Sequence, residues 1–200
     1  GLGTGCIVAL VLAAWSFRNN IKIRNSLLVL LAFIFLILAS LFAYRKTDFV
    51  QNIPMIGRIL NSSLSSGTGS TRLIAWQIAV ESWKERPIFG WGPNNFFYAF
   101  NAYYNPMSLR FGFGETWFDN AHNILLNTLT VQGIVGLLTY LGIFVSAWWM
   151  MFKNKSWREK HPDLFIILSA FLVAHLAQNL TVFENPTSYL FFMFWLAFVN

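Results

Sequence analysis

Residues Ser26–Tyr44 read SLLVLLAFIFLILASLFAY, nineteen residues without a charged side chain. As an α-helix this segment spans roughly 28 Å, close to the ~30 Å hydrocarbon core of a bilayer. A helix also satisfies its own backbone polar groups, which lipid demands. Working outward from it, four more apolar runs stand at Leu2–Phe17, Gly133–Phe152, Leu164–Phe183 and Thr187–Val199. The chain is 56% hydrophobic and 11% charged, whereas soluble domains carry about 25% charged residues. This pattern predicts an all-α, polytopic transmembrane helical bundle. It is a single membrane domain over 1–200, with spans near 2–17, 26–44, 133–152, 164–183 and 187–199. The first and last runs are short and abut the chain ends, so the chain reads as a C-terminal fragment of a larger polytopic protein. Leu2–Phe17 lacks the preceding basic region of a signal peptide and reads as a helix.

Orientation follows from the basic residues. Arg18, Lys22 and Arg24 lie between the first two runs with no acid among them. Lys153, Lys155, Arg158 and Lys160 stand against Glu159 and Asp163 between the third and fourth. Both segments are expected on the cytoplasmic side, which places the 45–123 loop on the outer face. These two segments supply most of the net charge of +6, so that charge is no sign of nucleic-acid binding. The single cysteine, Cys6, excludes an intrachain disulfide and a Cys-ligated zinc. With only three histidines, at 122, 161 and 175, neither a metal nor another cofactor is expected.

An outer loop of this length is far beyond ordinary connections. Asn61–Thr71 (NSSLSSGTGST) reads as a mobile linker. Arg72–Arg86 (RLIAWQIAVESWKER) follows, an amphipathic helix with Leu73, Trp76, Val80 and Trp83 at helical spacing. Ser70 or Thr71 can cap its start and Pro87 ends it. Its tryptophan face suits the membrane interface or the top of the bundle. Arg72 is expected in the first turn, where a helix N-terminus and a guanidinium together favour an anion. Gly90, Gly92 and Pro93 are expected to shape a turn and contact nothing. They lack the third glycine and the preceding strand of a nucleotide-binding fingerprint. Tyr103–Phe118 is a second aromatic-rich segment, holding Arg110 and Glu115 and followed by Asp119. Such polar-aromatic surfaces suit sugars.

Asp119-Asn120-Ala121-His122-Asn123 puts a side chain that trades protons near neutral pH beside a membrane helix. Asp119 or Asn120 could cap a helix starting near Ala121, with His122 in its first turn, where the dipole disfavours imidazolium. Asp119 could instead pair with the ring and raise its pKa. The plainer readings are an interfacial histidine bonding a carbonyl, an Arg72 reaching lipid phosphates, and Trp76 and Trp83 as interfacial anchors. His175, Gln178 and Asn179 form a polar stripe in the fourth run, read as interhelical hydrogen bonding or, less plainly, as function. Glu184 stands on the outer turn after it and could reach the vestibule of His122.

Arg72-x-x-x-Trp76, Arg86-Pro87-x-x-Gly90-x-Gly92-Pro93-x-x-Phe96, Ala121-His122-Asn123 and Gln132-Gly133-Ile134-x-Gly136-Leu137-Leu138 together resemble the O-antigen ligase and polymerase superfamily of bacterial inner membranes. The resemblance covers Ser26 to Phe152. It implies a multi-pass glycosyltransferase whose active face is periplasmic, so that 45–123 is a large periplasmic loop. The donor it implies is an undecaprenyl-diphosphate-linked glycan, the acceptor a glycan or lipid A-core, and the transfer inverting and metal-independent. By motif, His122 corresponds to the family's essential histidine and Arg72 to an arginine assigned to the donor diphosphate. A second such arginine in the family lies upstream of this region, and whether Arg110 or Arg86 assists here is open, Arg110 being carried forward. Glu115, Asp119, Asn123 and Trp76 are candidates for sugar or acceptor contact. The alternatives are a polysaccharide polymerase, a protein O-oligosaccharyltransferase of the same fold, and a non-enzymatic lipid or polysaccharide transporter.

Overall fold

A computed structural model describes residues 1–53, 68–112, 117–182 and 185–199, and among these it holds helices and turns and no strand. α1 is Leu2–Ser16, α2 Ile21–Ala43, α3 the single turn Asp48–Gln51, α4 Thr68–Glu85 and α5 Phe96–Ala102. A 3₁₀ turn covers Pro106–Phe111, and then come α6 Ile124–Lys153, α7 Lys155–Lys160, α8 Pro162–Asn179 and α9 Pro186–Val199. The chain is an all-α membrane protein: α2, α6 and α8 are long and apolar enough to cross a bilayer, and α1 and α9 are shorter apolar helices.

α2 makes the membrane case by itself. Asn20 caps its start through Ile23 N–H, and leucine, isoleucine, phenylalanine and alanine fill its interior. None of its residues is buried within this chain. A helix that is apolar all round and covers no protein core is in its proper solvent only in lipid or against other apolar helices. α1 lies along α8, with Gly5 against Ala174, the close approach that small residues allow in membrane helices.

Two apolar cores stand at the two ends of α6. The first joins α4, α5 and the segment before α6 through Ala75, Ile78, Ala79, Phe96, Phe100, Phe118, Ala121 and Val131. The second joins the C-terminal half of α6 to α8 and α9 through Phe144, Ala147, Met151, Phe165, Leu168, Leu172, Phe192 and Trp195. His175 and Asn179 of the polar stripe are buried, bonded to each other at 3.1 Å, and the imidazole stacks on Phe192 at 4.5 Å. Phe144 and Phe171 stack farther out on the same ring. The His175–Asn179 hydrogen bond runs within α8, at i and i+4, and it is the stacking of the imidazole on Phe144 and Phe192 that reaches across to α6 and α9. Gln178 is exposed, and Glu184 lies outside the described residues.

The helix carrying the Gly133–Phe152 run begins earlier, at Ile124, and is broken at Gly133 (φ 67°, ψ −166°). In an unbroken helix the N–H groups of Ile134 and Val135 would bond the carbonyls of Thr130 and Val131. Here they donate instead to the carbonyls of Pro87 (2.9 Å) and Ile88 (3.3 Å). The freed carbonyls of Thr130 and Val131 accept from the N–H groups of Trp91 (3.0 Å) and Gly92 (2.8 Å). The 87–92 loop thus replaces the two missing helical bonds with four of its own. Irregular backbone within an apolar bundle persists only where protein covers it. Gly90 and Gly92 therefore do more than shape a turn, since their segment is bonded to the backbone of α6. A Cβ on Gly90 would lie 2.5 Å from the Thr130 carbonyl oxygen, so two backbones meet where only glycine fits.

Candidate functional site

α4 packs on α6 through Thr71, Ala75, Ile78, Ala79 and Ser82, a buried stripe at spacings of three and four. The buried face is therefore the small-residue one, and Leu73, on the expected apolar face, is exposed. Small side chains let the helices approach closely. Thr130 Oγ1 of α6 donates to the Ala79 carbonyl at 3.0 Å, and the Trp91 indole to the Ser82 carbonyl at 2.9 Å. Residues 61–67 of the expected linker lie outside the described residues. Thr68 to Thr71 are already helical, so Ser70 and Thr71 are inside α4 and do not cap it. Arg72 accordingly sits past the first turn of α4.

Trp76 and Trp83 are half-buried and tied down by their indoles. Trp83 donates to the Pro87 carbonyl at 3.0 Å, and Trp76 to the Ala121 carbonyl at 2.9 Å. The second bond joins the Arg72 helix to the residue immediately before His122. Arg72 stands one turn from Trp76, about 6 Å along the same side of α4, and is half-buried.

Three asparagines shape the histidine segment. Asn120 Oδ1 accepts from His122 N–H at 3.0 Å, and Asn127 Oδ1 from Ala121 N–H at 3.3 Å. Asn123 Oδ1 accepts from the N–H groups of Leu125 and Leu126, which makes Asn123 the N-cap of α6. His122 thus precedes the helix and is not in its first turn, correcting both the expected cap and the expected place of the imidazole. Its φ of +51° is left-handed, a conformation that asparagine, aspartate and histidine tolerate better than other side chains. The ring is half-buried and meets Phe118 edge-on at 5.8 Å. Phe118 in turn packs on Phe100 at 5.2 Å, fixing the segment to the first core.

Of the other candidates, Asp119 is exposed beside this turn, and Asn123 spends its carbonyl oxygen on the cap. Arg110 is exposed on the 3₁₀ turn, which packs on α4. Glu115 lies outside the described residues. Arg86 stacks on Trp91 at 4.2 Å and pairs with Glu85 at 3.6 Å. It stands at the far end of α4 from Arg72, about 20 Å away along the axis. Glu85 also accepts from the Tyr103 hydroxyl at 3.0 Å, a bond that raises the phenol's pKa. The structure therefore bonds the His122 segment to Trp76 of α4, with Arg72 one helical turn from that tryptophan, and leaves Arg86 in a separate knot with Trp91 and Glu85.

Sequence reasoning missed Asn127 and Phe118 as supports of His122. The available signal was the run of asparagines at 120, 123 and 127, a spacing suited to consecutive turns and a helix cap. Trp76→Phe removes the indole donor and keeps a ring. The buried Ala121 carbonyl then loses its partner, at a cost of about 1–3 kcal/mol. A lower thermal midpoint in detergent is expected. An unchanged midpoint would mean that the indole bond does not hold the segment before His122.

A family model described as O-Antigen ligase matches residues 2–141, which include α4, the histidine turn and the broken part of α6. No curated protein matches the chain at a significant level.

Proposed function

Since the chain belongs to the O-antigen ligase family, we propose that it moves a glycan from undecaprenyl diphosphate to an acceptor hydroxyl at the periplasmic face of the inner membrane, with His122 as general base and Arg72 on the diphosphate. Family membership makes it a multi-pass membrane protein of glycosyltransferase-like ligase type, with a lipid-linked glycan and an acceptor as substrates. The residue roles go beyond membership and rest on the chemistry that these side chains can do.

Transfer requires the acceptor oxygen to attack the anomeric carbon as the bond from that carbon to the diphosphate oxygen breaks. The acceptor proton passes to a ring nitrogen of neutral His122, and the bonding electrons leave with the diphosphate. An imidazole suits the first task because its unperturbed pKa lies near neutrality. A guanidinium suits the second because its fork of donors matches phosphate oxygens. Attack from the face opposite the leaving group inverts the anomeric centre. Arg110, on a turn packed against the Arg72 helix, is the second candidate for the diphosphate. Arg86, held by Trp91 and Glu85, is not.

The observation that carries this reading is the Trp76 indole on the Ala121 carbonyl, because it couples the Arg72 helix to the His122 turn. The two basic segments also meet at the opposite end of α6, where the Arg158 and Arg18 guanidiniums both cover the Trp15 ring. One end of the bundle is thus strongly basic, in keeping with a cytoplasmic placement of that end and a periplasmic His122.

The test uses purified protein in proteoliposomes with a lipid-diphosphate glycan and, in turn, lipid A-core, a second repeat unit, or a protein as acceptor. Arg72→Ala is expected to lower donor use by about 10²–10³-fold, the scale for one well-aimed donor on developing charge. Identical donor kinetics in the variant would remove Arg72 from the diphosphate site. The acceptor that takes up glycan distinguishes ligation to lipid A-core from polymerisation and from protein glycosylation.

A further inference from the structure

At the basic end of the bundle, far from His122, a cavity of about 350 Å³ is lined by Trp15, Arg18, Asn19, Arg158, Glu159 and Pro162, among others. It opens where the end of α1 meets α7 and the start of α8. The Arg158 guanidinium lies over Trp15, Phe152 and Phe165 at 5.1–5.6 Å, and that of Arg18 over the same Trp15 at 5.5 Å. Two cations therefore share one ring. Among the described residues neither makes an ion pair, and Arg158 Nε is buried with no hydrogen-bond partner. The one acid of the lining, Glu159, faces Lys155 at 3.8 Å.

Like charges held together over an aromatic surface, with a donor left unpaired, call for an anion between them. The anion must suit a rim that is part polar and part apolar. Val11, one turn before Trp15 on α1, and Leu164, two residues after Pro162 on α8, are apolar and exposed. A free phosphate would leave that apolar margin in water, whereas a phospholipid would lay its acyl chains along it. Basic pockets between membrane helices are suited to anionic head groups. We infer that Arg18, Arg158 and Trp15 form a binding site for the head group of one anionic phospholipid, separate from the glycan-transfer site and independent of the roles given to His122 and Arg72.

The test is intact-protein mass spectrometry of the full chain in micelles, delipidated and titrated with phosphatidylglycerol or with phosphatidylcholine of the same acyl chains. One phosphatidylglycerol is expected to remain bound under conditions that strip phosphatidylcholine. Arg18→Gln should weaken that first lipid about fivefold, the effect of one basic side chain at an anionic surface. Arg18 is exposed and its guanidinium lies over the face of Trp15, so this variant leaves the packing intact. Arg158→Gln should weaken the lipid at least as much. The pair Lys153→Gln and Lys160→Gln removes two charges from the same end without touching the cavity, and should leave the first lipid within twofold. Equal retention of the two lipids would overturn the proposal, as would an equal loss in the Lys153/Lys160 control, which would signify a diffuse field. Displacement of the lipid by millimolar inorganic phosphate alone would make the site one for a free anion and would likewise refute it.

Discussion

Replacing His122 by Asn is expected to lower glycan transfer by at least ~10²-fold, the lower bound of what a positioned general base contributes, without loss of folded protein. Asparagine is chosen because the backbone at this position has a φ of +51°. Asparagine accepts a left-handed conformation more readily than alanine does. The hydrogen bond from residue 122 N–H to Asn120 belongs to the backbone and survives the change. So does the Trp76 bond to the Ala121 carbonyl. The thermal midpoint should therefore stay near that of the parent while the rate of the chemical step collapses. Donor binding should change little, since the imidazole is asked to take a proton and not to hold the diphosphate. Normal transfer by a well-folded His122→Asn protein would end the base assignment and leave His122 as a turn residue.

The second large effect concerns folding. Gly133→Ala places a methyl group 2.2 Å from the Ile88 carbonyl oxygen, at a backbone conformation of φ 67° and ψ −166°. That region belongs essentially to glycine and costs another residue about 1–3 kcal/mol. The clash adds to this, because the Ile88 and Phe89 atoms it meets are backbone and can give way only if the 87–92 loop moves. Moving it breaks the hydrogen bonds to Ile134 and Val135 and frees the carbonyls of Thr130 and Val131. The sum is a loss of at least about 3 kcal/mol, read as a steep fall in thermal midpoint or in recovered monodisperse protein. Gly142→Ala is the matched control: it lies in the same helix with nothing within 4 Å of a Cβ. There alanine should be neutral or stabilising by up to about 1 kcal/mol. Equal stability of the two variants would show that the break in α6 is not held by its glycine.

The class of this protein was legible without coordinates. An uncharged run such as Ser26–Tyr44 has one stable form in lipid, because the backbone must bond to itself, and the structure keeps it as a helix with no buried residue. Pro87 ended α4 where it had to. The run of motifs through His122 and Gly133 pointed to the family, and the family match contains them.

Other features lay in pairings between distant segments, where spacing along the chain carries no information. The glycines at 90 and 133 are forty-three positions apart, and each looks like an ordinary turn or helix residue until the two backbones are seen to touch. α4 turned its alanines inward and not its tryptophans because the partner surface on α6 needed a close approach, which an amphipathic pattern cannot announce. His122 fell outside the helix because Asn123, and not Asp119 or Asn120, had the geometry to reach two free N–H groups. Composition and hydrophobic run length, which act through solvent, settled that the chain is a helical membrane protein. Where its histidine stands and what holds it there was decided by hydrogen bonds between segments that only the folded chain brings within reach.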